Sequence, residues 1–479
     1  MPRSTPKVQP PLEFIPPDFN PLMWRITRLL LPYRMRWGSQ VAGVEVEQGD
    51  RLVQLYQQFQ EGKVRFLMAF RHPSAADPEC MFWLLAYETW RRSRQLGIPL
   101  QGPIHSHFIY DRGIPLWAGQ YLGWLYSKLG GVPIKRGRVD TQSLRTIRNL
   151  MANAPMPMAA APEGATNGHN ELVSPIEPGI AQFGFWCWED LQKAGRDETV
   201  LIVPIGLQYR FVTSPWSTLE LLLSNLERES GMATSSDPTP PLMLQDGVDP
   251  TAEQQFLLYQ RLLRLGERLL SLMEQFYTKF YHRALIPLSS VAKASEAESS
   301  AAASPNDVLA TRLQTLLNTA LTVAEESFGL VPKGNLTDRC RRLEQAAWDC
   351  IFREDIKQPE TLPPVELGLA NRIAEEADLR IWHMRVVETF VSVTGYYVKE
   401  KPTAERFAET LLLVWDVVTR LKGEVPFPYP KLGMRRAYIT IGEPISIDDR
   451  APEYKANRKQ AVTTLTQDLQ TALEAMIHR

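Results

Sequence analysis

Two apolar runs constrain the fold most: Lys63–Phe70 ("KVRFLMAF") and Thr199–Phe211 ("TVLIVPIGLQYRF"). Neither alternates as a half-exposed strand does, and neither reaches the roughly 18 apolar residues of a membrane-spanning helix. Both read as strands buried on two faces, the pattern of a sheet covered by helices. Pro204 lies inside the second run, and a proline there marks an edge, a bulge or a strand end.

Helical patterns alternate with these runs. Pro78 opens one helix at its first position, and basic residues and Gly97 close it. Residues 49–61, the apolar stretch Ile114–Gly131 and Thr141–Asn153 supply others, while "GVPIKRGRVD" (Gly131–Asp140) reads as a short strand or turn. "MPMAAAPEGATNGHN" (Met156–Asn170) is a small-residue strand that breaks into a Gly/Asn loop. This order predicts an α/β fold with a largely parallel sheet and flanking helices. Ligands of such sheets sit beyond the carboxyl ends of the strands, and His72 lies just past one.

From about Trp216 long helical segments take over: Gln254–His282, Asp307–Phe328, Thr337–Phe352, Val365–Thr394 and Thr403–Lys422. A low-complexity Ser/Ala linker is expected near 288–306. Strand character returns in "RRAYITIGEPISI" (Arg435–Ile447), followed by a last amphipathic helix. Residues 1–20 are proline-rich and expected to be a disordered tail.

Composition narrows the partners. The net charge is −1 over 479 residues, so no overall field favours nucleic acid. Cys80, Cys187, Cys340 and Cys350 lack CxxC spacing and read as reduced thiols of a cytoplasmic protein, with no zinc site. No secretory leader is visible in the proline-rich start. Locally, "WRITRLLLPYRMRW" (Trp24–Trp37) places Arg25, Arg28, Arg34 and Arg36 around a leucine run without an acid. That suits a helix lying in a membrane interface, so peripheral membrane association is expected; a helix capping the core through the same leucines is the alternative. Pro32 should end or bend it. Trp117, Tyr121 and Trp124 make a second apolar face, either core or lipid-facing.

Several side chains are candidates for chemistry. His72 and Asp77 flank a strand-to-helix turn. A neutral imidazole takes a proton from a hydroxyl more readily when a carboxylate fixes its tautomer. Asp77 precedes Pro78, which makes it the expected helix N-cap, its carboxylate near the amide of Cys80. Read alone, the pair is most simply an ordinary capped turn. Lys135, Arg136 and Arg138 form a basic cluster suited to phosphate, or a solvated turn. Glu163 and Gly164 stand in a loop where a carboxylate can bind a polyol, or face solvent. His105 and His107 share a strand face but lack a third metal ligand; no metal is expected. His169 is placed to line the site, and His383 reads as a core or interface histidine.

The order of these blocks matters more than any one. HxxxxD at His72–Asp77, GxxIxR ending at Arg136, PEG at Pro162–Gly164 and the VPI strand at Pro204 resemble the glycerolipid acyltransferases of the 1-acylglycerol-3-phosphate (lysophosphatidate) type, over about Phe66–Phe211. "SPIEPGIAQFGF" (Ser174–Phe185) also resembles that family around Gly179. The resemblance implies acyl transfer from acyl-CoA or acyl carrier protein to a lysolipid or glycerol-phosphate hydroxyl in phospholipid biosynthesis, with no bound cofactor. His72 would be the general base, Asp77 its orienting partner, and the acceptor hydroxyl would attack the thioester directly. Arg136, with Lys135 beside it, would hold the acceptor phosphate, Glu163 and Gly164 the glycerol portion, and Pro204 would lie on the donor side.

Two features depart from that family. Its third block reads Phe-Pro-Glu-Gly-Thr-Arg, whereas here it is Ala161–Thr166, without the hydroxyl and guanidinium directly after the glycine. That change bears on phosphate recognition and favours, as an alternative, a thioesterase using the same pair; a non-catalytic lipid-binding protein, with the helical region as its working part, is the other alternative. The closing "ITIGEPISI" block also comes about two hundred residues late. Residues 21–214 and 432–479 are therefore expected to form a discontinuous domain, with 215–431 a helical insertion.

Overall fold

The computed structural model describes residues 7–114, 119–135, 140–232, 242, 244–285, 305–390 and 396–478. It divides into two units. Glu13–Val212 with the chain from Gly433 onward forms one, and Thr213–Leu432 with the chain up to Leu12 forms the other.

The first unit is an α/β layer structure around an eight-stranded mixed sheet. Its strands are β1 (Val41–Glu47), β2 (Val64–Phe70), β3 (His107–Asp111), β4 (Val132–Ile134), β5 (Met158–Ala160), β6 (Thr199–Phe211), β7 (Arg435–Ile441) and β8 (Ile445–Ser446). They lie in the order β1-β7-β6-β2-β5-β3-β4, with β8 also on β6. From β6 to β4 neighbours run parallel, and β7 and β8 run antiparallel to β6. Both faces are covered. Phe66, Met68 and Phe70 of β2 pack with Val203, Ile205, Leu207 and Tyr209 of β6 under α1 (Pro21–Tyr33), α2 (Gly49–Gln60) and α3 (Asp77–Trp83). Leu67 and Ala69 join Val200 and Ile202 on the opposite face, under Thr141–Asn153, Gly179–Lys193 and Arg458–Ala475. Burial on both faces is why these strands are apolar without alternation.

Pro204 does not mark an edge. It lies inside β6, paired with Ala69 of β2. On the other side of β6, β8 faces Leu201 and Ile202, while β7 begins at Ile205. The proline falls where one antiparallel partner gives way to the next. Its carbonyl still accepts from the Gly442 amide at 2.9 Å, and its missing N–H costs no ladder bond.

The chain leaves the sheet after Phe211 and re-enters at Arg435, which is the residue paired with Phe211. The amide of Val212 donates to the carbonyl of Met434 at 2.8 Å. The helical segment is thus inserted where a hairpin turn would otherwise join β6 to β7, so the sheet closes across it with little loop entropy at stake.

Residues 7–20 are extended but tied down, contrary to a disordered tail. Gln9 exchanges backbone bonds with Ile351 and Arg353, while Asp18 and Asn20 donate to the carbonyls of Ser127 and Lys128. Nor does Pro32 end α1. The helix runs through it to Tyr33 and passes into a π turn at Arg34–Gly38, and the Arg28 carbonyl, which Pro32 leaves without its helical donor, accepts the Tyr87 hydroxyl at 2.5 Å.

The second unit is helical: Trp216–Glu229, Ala252–Phe280, Pro305–Ser327, Leu336–Ile351, Pro364–Phe390, Tyr396–Glu400 and Ala404–Leu421. Capping boxes start two of them, at Thr251 and Asn335. Leu316, Leu321, Leu343 and Val387 form its core, with the ion pair Arg339–Glu325 buried beside them. Most of the expected Ser/Ala linker lies outside the described residues. Among the described residues no helix is long and apolar enough to cross a membrane.

Candidate active site

The site sits beyond the carboxyl ends of the adjacent parallel strands β2 and β5, the position where α/β sheets bind ligands. Strand β2 ends at Phe70 and delivers Arg71 and His72; β5 ends at Ala160 and delivers the loop from Ala161 to Ser174.

His72 and Asp77 are in contact: Nδ1 of the ring lies 2.7 Å from Oδ2 of the carboxylate. The same oxygen accepts the amide of Ser74 at 2.9 Å, and Oδ1 accepts the Tyr209 hydroxyl at 2.5 Å. The Asp77 side chain is fully buried, while that of His72 is 22% exposed. A carboxylate taking these bonds only accepts, so Nδ1 of His72 carries the hydrogen. The neutral ring then has its lone pair on Nε2, directed to the open side. Oγ1 of Thr166 lies 3.0 Å from Nε2 and donates to it.

Asp77 is not the helix N-cap. The cap is Ala76, whose carbonyl accepts the amide of Cys80 at 3.1 Å, and Asp77 is the first helical residue. The carboxylate has turned away from the helix amides because His72, Ser74 and Tyr209 satisfy it instead. Burial first, and the nearby Asp77 charge second, hold the Tyr209 phenol well above its ordinary pKa, so it remains a donor. Burial likewise raises the Cys80 thiol beside it.

A second buried carboxylate organises the loop. Glu163 Oε1 accepts the amide of His72 at 2.9 Å, and Oε2 accepts from Asn167 Nδ2 at 2.7 Å and the amide of Ser174 at 2.9 Å. In return the amide of Asn167 donates to the carbonyl of His72 at 3.2 Å. Arg71, wholly buried, donates to the carbonyls of His169, Asn170 and Leu172. Asn170 completes the frame by pairing with both backbone groups of Tyr209, at 2.8 and 3.1 Å. Gly164 adopts φ +73°, a left-handed turn that lets the loop fold back over His72.

Of the residues singled out in the sequence, His72, Asp77, Glu163 and Gly164 therefore come together. Glu163 points inward and holds the loop, so its oxygens are not the ones offered to a ligand. Pro204 lies in the sheet beside Ala69. Lys135 directly follows β4, three strands from β2 and so about 14 Å across the sheet at ordinary strand spacing. Its amide donates to Asp140 Oδ2 at 3.1 Å. Arg136 and Arg138 lie outside the described residues. His105 and His107 are buried, with His105 Nε2 on the carbonyl of Leu129 and His107 Nδ1 on that of Gly130. Burial lowers the His105 pKa to about 4, which keeps it a neutral core donor. His169 is also buried. Among the described residues no three His, Cys, Asp or Glu side chains are grouped to hold a metal.

Tyr209, Thr166 and Arg71 were not legible as site residues. Arg71, a charge directly after the apolar run Phe66–Phe70, is the one local signal; the other two are defined by partners 132 and 94 positions away. No protein-family model, curated protein or solved structure matches the chain.

Proposed function

We propose that this protein is a membrane-peripheral O-acyltransferase, moving a fatty acyl group from an acyl-CoA or acyl carrier protein thioester to a glycerolipid hydroxyl. The observation that carries the reading is the Asp77–His72 pair, with Nδ1 protonated on a buried carboxylate and Nε2 left as the base, facing the exposed Thr166 hydroxyl. A hydroxyl brought to Nε2 gives up its proton as its oxygen attacks the thioester carbonyl. Asp77 stabilises the imidazolium that forms, and the proton then leaves with the thiol. The sequence resemblance to lysophosphatidate-type acyltransferases supplies the substrate class. Arg136, with Lys135, is proposed to hold the acceptor phosphate, and Pro204 to lie toward the donor. For Glu163 and Gly164 the proposed contribution is to shape the loop against His72 rather than to contact the lipid with the Glu163 carboxylate.

Helix α1 supports action at a lipid surface. Leu22, Ile26, Leu29, Leu30, Tyr33 and Trp37 are exposed along one side, with Leu29 at 70%, while Trp24, Leu31 and Met35 face the core. Arg25, Arg34 and Arg36 are exposed beside them. An apolar stripe bordered by arginines suits an anionic interface. Arg34 donates to Glu79 at 2.9 Å, and Glu79 shares the first turn of α3 with Asp77. A lipid-bound α1 is thereby bonded to the helix that carries the base's partner. Tyr121 and Trp124, at 66% and 51% exposure, extend the apolar surface on the neighbouring helix Gln120–Lys128.

The test is transfer of labelled acyl groups to a lysolipid panel. Wild type should acylate at least one lysolipid, and His72→Ala should not. A second reading, thioester hydrolysis, draws on Ala165 and Thr166 replacing the family's Thr-Arg; free fatty acid without any acylated lipid would favour it.

A further inference from the structure

Thr166 is the first hydroxyl that the His72 base meets. We propose that it is a nucleophile, so that Asp77, His72 and Thr166 form a triad and the acyl group passes through a threonine ester. This rests on the acyltransferase reading above and replaces its direct attack on the thioester with two successive transfers at the same base.

Three observations converge. The ring tautomer is fixed by Asp77, and Nε2 accepts the Thr166 hydroxyl at 3.0 Å, the relation of base to nucleophile in hydroxyl-dependent acyl transfer. The hydroxyl is built into place. Asn167, the next residue, gives its amide to the His72 carbonyl, while His72 gives its own amide to Glu163 three residues before Thr166. Gly164 and Gly168, at φ +73° and +74°, bracket the segment and turn it over the ring. Finally, Thr166 is exposed while Asp77 and Glu163 are buried, so a thioester carbonyl has access to this oxygen.

The chemistry closes in two halves. The Oγ1 proton passes to His72 Nε2 as the bond from Oγ1 to the acyl carbon forms. The carbon–sulfur bond breaks, and the leaving thiolate takes the proton from the imidazolium. The lysolipid hydroxyl next gives its proton to Nε2 and attacks the ester carbonyl. The bond to Oγ1 breaks and Thr166 recovers a proton from the ring. No other reactant enters.

The alternative is that the Thr166 hydroxyl only fills the acceptor's place and swings aside. The two differ in what Thr166→Ala does. The full chain is mixed with a long-chain acyl-CoA in the absence of acceptor, quenched in acid and read by intact and peptide mass spectrometry. Wild type should gain one acyl group on Thr166, with a stoichiometric burst of thiol, and lysolipid should discharge it. Thr166→Ser should keep the adduct. Thr166→Ala should lose it, and transfer should fall by at least about 10³-fold. Wild-type transfer without an adduct, or full transfer by Thr166→Ala, overturns the covalent step and leaves the acyltransferase reading standing. An adduct discharged only to water supports the covalent step and overturns the lipid acceptor. Neither adduct nor transfer overturns both.

Discussion

Asp77→Asn is the substitution whose effect the geometry defines most closely. In the native site Oδ2 receives two hydrogens, from His72 Nδ1 and the Ser74 amide, and Oδ1 receives one, from Tyr209. An asparagine must place its NH2 at one of these positions. The Ser74 amide cannot reverse, so the NH2 cannot replace Oδ2. It replaces Oδ1, where the Tyr209 oxygen accepts from it and the phenol hydrogen turns to Cys80 Sγ, 3.4 Å away. The amide oxygen then keeps Nδ1–H in place. The variant preserves the tautomer and loses only the charge opposite the imidazolium. A carboxylate and an imidazolium about 4 Å apart attract by about 4 kcal/mol at an effective dielectric of 20. The amide dipole recovers part of this. A net loss of about 3–4 kcal/mol lowers turnover about 10²–10³-fold. The assay is single-turnover acyl transfer under saturating thioester, with circular dichroism to confirm the fold. A rate within threefold of wild type would refute the view that Asp77 acts on the imidazolium charge. A loss as complete as that of His72→Ala would refute retention of the tautomer.

Tyr209→Phe removes a buried donor from the Asp77 charge and should lower stability by about 1.5–3 kcal/mol in urea denaturation; an unchanged midpoint would contradict the bond. His105 has its folded pKa lowered by burial from 6.5 to about 4, so the unfolded chain binds the proton first. Its contribution is complete above pH 6.5 and declines as pH falls toward about 4, by about 3 kcal/mol in all. His105→Gln, which retains a donor for the Leu129 carbonyl, should remove that part of the acid dependence, and an identical pH curve would oppose the assignment. Replacing Leu29 and Leu30 with glutamate should weaken binding to anionic vesicles by at least about 10-fold, since each leucine is worth about 1.5–3 kcal/mol on burial. Unaltered vesicle sedimentation would mean that another surface meets the lipid.

What the sequence displayed was decided by where each signal resides. Strands β2 and β6 carry their own signature because they are buried on both faces. Strand β1, with Gly43, Glu45 and Glu47, is half exposed and exists only because β7 arrives nearly four hundred residues later to pair with it. Pro204 reads as an edge, bulge or strand end in the sequence, yet a central strand can change partners opposite a proline. The spacing from His72 to Asp77 indicates their meeting, yet the helix cap is Ala76 and not the aspartate. Local propensity favours aspartate as a cap, but Tyr209 and His72 together compete for its carboxylate more strongly. Glu163 was recognisable as special, but its inward direction depends on the amides of His72 and Ser174, which no local pattern predicts. Thr166 stood out in the sequence only as a missing arginine; its place on Nε2 follows from the tie between Asn167 and His72.

The central claim is that His72 is the base of an acyl transfer to a lipid hydroxyl. The most direct test incubates wild type and His72→Ala with acyl-CoA or acyl carrier protein thioesters and vesicles carrying lysophosphatidate, glycerol 3-phosphate or neutral lysoglycolipids. Wild type should form acylated lipid, and His72→Ala, with an unchanged circular dichroism spectrum, should form none above background. Turnover by His72→Ala equal to wild type, or no acylated lipid from any pairing with wild type, would contradict the account.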